Sequence, residues 1–133
     1  ITCKIGTIRG LHYQKKPNLE TKIVSCIRGK VFDVAVDLRK NSETFLKWYG
    51  IVLCEKNFRS IIIPEGFAHG FQALETNSEL IYVHNNKYDP NYEEGVNALD
   101  GIINIKWPLD ITNISGKDKN LKFISKAFKG IEL

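Results

Sequence analysis

Residues Val31–Leu38 read VFDVAVDL, and this stretch decides the fold. It is rich in β-branched residues and alternates with the period of a strand. Phe32, Val34, Val36 and Leu38 fall on one face, and Asp33, Ala35 and Asp37 on the other. The first face is apolar and belongs to a core. The second is small and partly acidic, which suits a wet cavity better than a packed interior.

The same texture extends in both directions. Upstream, Lys22–Ile27 alternates and leads to a turn at Gly29. Downstream, Trp48–Cys54, Ser60–Ile63, Phe67–Leu74 and Glu79–Val83 read as strands, with Pro64-Glu65-Gly66 as a turn among them. Asn85–Glu94 is a polar loop containing Pro90, and Ile102–Trp107 reads as a last strand closed by Pro108. Only Asp118–Phe128 allows a helix of modest length. Many short strands between regular turn signals predict a mainly antiparallel β-sandwich or β-barrel with a short C-terminal helical segment. There is no repeat, low-complexity stretch or linker, so residues 1–133 are expected to form one domain.

Composition narrows the function classes. Charged residues are 26% and hydrophobic residues 43% of the chain, as in ordinary globular proteins. No apolar run approaches a membrane span, and the opening ITCKIGTIRG lacks the apolar core of a signal peptide. A cytoplasmic protein without a membrane partner is the expectation. Cys3, Cys26 and Cys54 are odd in number and share no C-x-x-C spacing, so they read as small, partly buried thiols in a reducing compartment. The net charge of +4 is densest near the end, at Lys117, Lys119, Lys122, Lys126 and Lys129. That cluster reads as the solvated face of a terminal segment rather than a nucleic-acid patch. A modest positive field also suits an anionic substrate such as a sugar diphosphate. The chain contains no methionine, and its first segment reads like the middle of a domain, as expected of a fragment.

Three segments carry candidate chemistry. Arg9-Gly10-Leu11-His12-Tyr13-Gln14 sets a histidine in a strand-like segment beside a cation. Ile63-Pro64-Glu65-Gly66-Phe67-Ala68-His69-Gly70-Phe71 surrounds a second histidine with a tightly specified backbone. Ile114-Ser115-Gly116-Lys117-Asp118 offers Ser115 as a helix cap. Each alone also fits a structural histidine, a hairpin corner or a loop.

Together and in this order, the three segments resemble the dTDP-4-dehydrorhamnose 3,5-epimerase family. Val31–Arg39 (VFDVAVDLR) and Lys106-Trp107-Pro108-Leu109 add to the match, which runs from about Thr7 to Asp118. The resemblance implies a cupin-type jelly roll acting on a dTDP-linked 4-keto-6-deoxy sugar, working as a homodimer and without a cofactor or metal. It implies that His12 is the base, Asp118 its partner, Tyr82 the acid and Lys22 the cation that steadies an enolate. Arg9, His69, Glu93 and Lys117 match positions that line the substrate or nucleotide site. His84 matches no family role and reads as an ordinary strand or surface residue.

The residue types suit that chemistry. The ketone acidifies the protons on both neighbouring carbons. Inversion then requires a base on one face of the sugar and an acid on the other. A histidine paired with a carboxylate is poised near neutral pH, and a cation offsets the charge on the enolate oxygen.

The pattern also departs from the family. Members carry roughly fifty further residues before this point, including strands that cross to a partner subunit and groups that contact the nucleotide. Val96-Asn97-Ala98-Leu99-Asp100 lacks the family's tryptophan, and Val83–Lys87 differs from the usual K-T-T-D-Y. Three rivals follow. A single-carbon epimerase would use the same acid and base. A metal-dependent cupin needs an H-x-H pair that His12 does not form. A non-catalytic sugar-nucleotide-binding module has no need of acid and base on opposite faces.

Overall fold

The computed structural model describes residues 4–133, so the expectation for Cys3 lies outside the described residues. Nine strands, labelled in chain order, form two sheets. They are β1 (Thr7–Gln14), β2 (Lys22–Arg28), β3 (Lys30–Asp37), β4 (Trp48–Cys54), β5 (Ser60–Ile63), β6 (Phe67–Ala73), β7 (Glu79–His84), β8 (Glu93–Gly95) and β9 (Asn113–Ile114). The larger sheet runs β4-β3-β6-β1-β8, with β9 parallel to β1; the smaller runs β5-β2-β7. Apart from β9 every pairing is antiparallel. This is the mainly β, two-sheet architecture expected, of the cupin jelly-roll type.

The alternation in β3 now has a physical outcome. Val34, Val36 and Leu38 are fully buried, with Phe32 packed against them, on the face that meets Ile8, Leu11, Ala68, Trp107 and Phe128. The opposite face looks between the sheets. There Val31 and Ala35 join Val24, Leu53, Ile61, Ile63 and Phe71 in a second cluster. Val31, Asp33, Ala35 and Asp37 are all buried, so that face is packed rather than open, which corrects the sequence expectation. Asp33 and Asp37 are buried at 0% and 1% exposure, and each has its own partners. Asp37 accepts from Arg39, Ser42 and Thr44. Asp33 is held by the His69 ring, whose Nε2 lies 2.9 Å from both of its oxygens.

A bulge in β1 decides which side chains reach the interior. Arg9 pairs with Phe71 and His12 with His69, so Gly10 and Leu11 on β1 together oppose the single residue Gly70 on β6. The extra residue keeps Ile8 and Leu11 both in the core, despite their odd spacing. By the same shift Arg9 and His12 share the other face. Gly10 makes the close approach possible, because it has φ +104° and a Cβ there would sit 2.5 Å from the His69 carbonyl oxygen.

The last third differs from its reading. Ile102–Trp107 is not a strand. The Asp100 carboxylate accepts from the N–H groups of both Ile102 and Ile103, which winds the chain into a turn, and Trp107 Nε1 is anchored on the Ala98 carbonyl. The helix α1 covers only Gly116–Lys119, against the expected Asp118–Phe128. The following residues give their backbone groups elsewhere: Lys122 O accepts from Asn97 N, and Ile124 N donates to Asp100 Oδ2. Their apolar side chains still pack, with Ile124 and Phe128 against the core. The loop read over Asn85–Glu94 ends in the short strand β8.

Candidate active site

Between the sheets, one end of the sandwich is left open as a cavity of about 190 Å³. Its walls come from different sheets. His12 (β1) and His69 (β6) project from the large sheet; Lys22 (β2) with Tyr82 and His84 (β7) project from the small one. Glu93 from β8 and Tyr88 complete the rim.

His12 is held from below by Asp118. The carboxylate Oδ1 lies 2.6 Å from His12 Nε2, and Oδ2 accepts the Gly10 N–H at 3.1 Å. Asp118 is 5% exposed and sits in α1, whose Ser115 cap accepts from the Asp118 N–H. One short turn of helix therefore fixes a carboxylate 106 residues away in sequence from the ring it orients. The other ring nitrogen, Nδ1, faces Glu93 Oε1 at 3.8 Å. Desolvation opposes the Glu93 charge, but hydrogen bonds from Lys117 and Tyr88 and the nearby His12 outweigh it and hold the carboxyl below its ordinary value. Lys117 is raised in turn by the same contact.

His69 is 5% exposed, and its Nε2 lies 2.9 Å from both oxygens of Asp33. Its ring meets Tyr82 edge-on, with centroids 5.8 Å apart. Tyr82 remains 37% exposed. Desolvation around its hydroxyl and the Asp33 carboxylate push the phenol well above its ordinary value, with Arg9 pulling the other way. At neutral pH Tyr82 is a proton donor. Lys22, 8% exposed, has its Nζ 3.5 Å from Glu20 Oε1.

A second cavity of about 280 Å³ adjoins the first behind His12. It is lined by Arg9, Asn113, Ser115, Lys117 and Asp118 among others. The eight residues singled out from the sequence thus divide. His12, Lys22, His69, Tyr82 and Glu93 line the first cavity. Arg9, Lys117 and Asp118 line the second, and His12 belongs to both. In a larger groove between Tyr13, Glu94 and the segment Asn120–Phe128, the Tyr13 hydroxyl donates to Glu94, so these two groups are engaged with each other.

Asp33, Glu20 and His84 were not singled out from the sequence as site residues. Asp33 was marked only as part of the acidic face of β3, and Glu20 gave no local signal, because their partners are distant in sequence. His84 did give one: it lies two residues after Tyr82 on β7, and alternate residues of a strand share a face. Among the described residues no group of three or more histidine, cysteine or acidic side chains is arranged to hold a metal ion.

This pattern of groups can be set against known proteins. The family model described as dTDP-4-dehydrorhamnose 3,5-epimerase matches residues 1–126. A dTDP-4-dehydrorhamnose 3,5-epimerase of Shigella flexneri is 50% identical over 124 residues, covering 92% of this chain and 68% of that protein. The crystal structure of such an epimerase from Bacillus anthracis, with TDP and PPi bound, superposes with a TM-score of 0.90 at 39% identity, covering 92% of this chain and 70% of that one. The Legionella pneumophila enzyme in complex with dTDP-4-keto-L-rhamnose gives 0.86 at 41% identity, covering 91% and 64%. The chain thus spans about two thirds of the length of these relatives. With the match reaching nearly end to end and the same two-sheet fold beneath it, this chain belongs to the dTDP-4-dehydrorhamnose 3,5-epimerase family.

Proposed function

We propose that the protein epimerises a dTDP-linked 4-keto-6-deoxy sugar at C3 and C5, giving the 4-keto-L-rhamnose sugar nucleotide. The observation that carries this reading is the placement of the His12–Asp118 pair and of Tyr82 and Lys22 on opposite walls of one cavity. A planar enolate between those walls would meet a base on one face and an acid on the other.

In the proposed sequence, His12 Nδ1 takes the proton from the carbon beside the ketone. The C–H electrons move into the C–C bond and onto the carbonyl oxygen, making an enolate. Asp118 accepts the Nε2–H of the imidazolium, holds the ring in one orientation and stabilises its charge. Lys22 places an ammonium beside the enolate oxygen. Tyr82 then returns its proton to the opposite face, which inverts the centre. The ketone is itself the electron sink, so the sequence uses no added cofactor. Arg9 and Lys117 give the adjoining cavity positive charge, which suits a diphosphate.

A homodimer is part of the proposal. The outer face of the small sheet leaves Ile23, Ile62, Ile81 and Val83 at 39–64% exposure, a contiguous apolar surface for a second copy. A cytoplasmic setting is also proposed, supported by the free thiols of Cys26 and Cys54.

Deuterium wash-in tests the reading. The intact native protein is incubated in D₂O with dTDP-4-keto-6-deoxyglucose, and the sugar protons are followed by NMR. Exchange at C3 and C5 with inversion is the expected result. Exchange at a single carbon would replace the reading with a one-centre epimerase, and absence of exchange from folded protein would overturn it.

A further inference from the structure

Each inversion in the scheme above leaves a proton on His12 and removes one from Tyr82. A second inversion cannot follow until Tyr82 has been recharged. The Asp33 charge disfavours the phenolate, so Tyr82 readily takes a proton back from a donor beside it.

Two imidazoles flank the Tyr82 ring. His69 meets it edge-on at 5.8 Å, and His84 stacks on it at 6.0 Å with an interplanar angle of 29°. They differ in their access to water. His69 is 5% exposed and bound to both oxygens of Asp33. The His84 side chain is 34% exposed, so it touches solvent on one side and Tyr82 on the other. Its Nδ1 lies 2.8 Å from Glu20 Oε2. A carboxylate only accepts, so the Nδ1 proton is the one donated and Nε2 is left to exchange. Glu20 is 7% exposed, and its second oxygen lies 3.5 Å from Lys22 Nζ.

We infer that His84, oriented by Glu20, is the relay that returns a proton from solvent to Tyr82 between inversions. This rests on the epimerase reading. The step balances: the His84 imidazolium loses its Nε2 proton, through a bridging water, to the Tyr82 phenolate. The N–H bond breaks as the phenol O–H forms. The neutral ring then takes a proton from solvent at Nε2, while Nδ1–H stays on Glu20. The charged and titratable groups around His84 are Glu20, Lys22 and Tyr82 beside it, with His12, His69, Tyr88 and Glu93 across the cavity. Glu20 has a second consequence. By binding His84 with one oxygen it stays 3.5 Å from Lys22, too far to quench that ammonium with a short hydrogen bond.

The experiment compares wild type, His84→Ala and His84→Phe in the intact native protein. The phenylalanine variant keeps a stacked ring and guards against loss of fold. Both variants should lose at least about tenfold in steady-state turnover, while proton removal in the first turnover stays within about twofold of wild type. Added imidazole buffer should restore turnover, because it supplies the missing proton carrier. Unchanged turnover would overturn the relay. So would a loss that imidazole does not restore and that slows the first exchange equally, since His84 would then only pack against Tyr82. Failure of the epimerase reading itself appears separately, as a wild type that exchanges no sugar proton. Even then, ¹⁵N spectra of the free protein decide the His84 tautomer. A neutral ring protonated on Nδ1 supports the relay, and one protonated on Nε2 would sink it.

Discussion

The Asp118 carboxylate bonds His12 Nε2 with one oxygen, at 2.6 Å, and the Gly10 N–H with the other, at 3.1 Å. The same group therefore orients the proposed base and pins the glycine at the bulge that delivers it. Replacing Asp118 by Asn keeps the shape but removes the charge that stabilises the imidazolium. Turnover should fall by roughly 10²-fold or more, with circular dichroism unchanged. A variant with near-normal turnover would remove Asp118 from the mechanism. His12→Ala should abolish sugar-proton exchange altogether.

Tyr82→Phe separates the two halves of an inversion. The base wall is untouched, so deuterium should still enter the substrate. Return of a proton to the opposite face should be slowed much more than removal. Equal slowing of both halves would argue against Tyr82 as the acid.

Lys22 is buried beside Glu20 on the wall that carries Tyr82. Lys22→Met retains most of the side-chain bulk and loses the cation. The enolate charge would then lack its partner, and kcat should fall by about 10²-fold or more with a smaller change in KM. A change confined to KM would mark Lys22 as a binding group only.

Asp37 supplies a stability prediction away from the chemistry. Desolvation would raise its pKa, but hydrogen bonds from Arg39, Ser42 and Thr44 outweigh that and hold it below the ordinary carboxylate range. A carboxyl depressed by folding contributes stability above its unfolded pKa, about 3.9, and loses it as pH falls further towards the folded value. Denaturant unfolding should therefore show stability declining below about pH 4. Asp37→Ala should cost roughly 1–3 kcal/mol at neutral pH, because Arg39, which reaches solvent, and the two hydroxyls lose their common acceptor. It should also flatten part of the acid limb.

Gly10→Ala tests the bulge. A methyl group would meet the His69 carbonyl oxygen at 2.5 Å and Gly70 Cα at 2.8 Å, in a backbone conformation that side chains rarely adopt. Strain of about 1–3 kcal/mol is expected from the conformation alone. Because His12 follows two residues later, activity should fall further than stability does. Full activity in a folded variant would show that the bulge is not needed to aim His12.

By itself the sequence determined the longer strands and the alternation of their side chains. Val31–Leu38 announced both, because alternation is a local property that sheet geometry turns directly into inward and outward sides. Residue type and order marked His12, Lys22, Tyr82 and Asp118 in the same way, through their resemblance to a family. Tertiary structure alone decided the rest. The apolar residues of the last third kept their burial but took neither the strand nor the helix their pattern allowed, because Asp100 and Asn97 claimed the backbone groups those elements need. The acidic face of β3 became packed at Asp33 because His69, distant in sequence, arrived to bind it, whereas Asp37 is held by its chain neighbours Arg39, Ser42 and Thr44. Glu20 and His84, 64 residues apart, became a pair only when β2 and β7 lay side by side. Long-range ion pairs and side-chain-to-backbone hydrogen bonds depend on distances that no local pattern encodes, so they become visible only once the chain is folded.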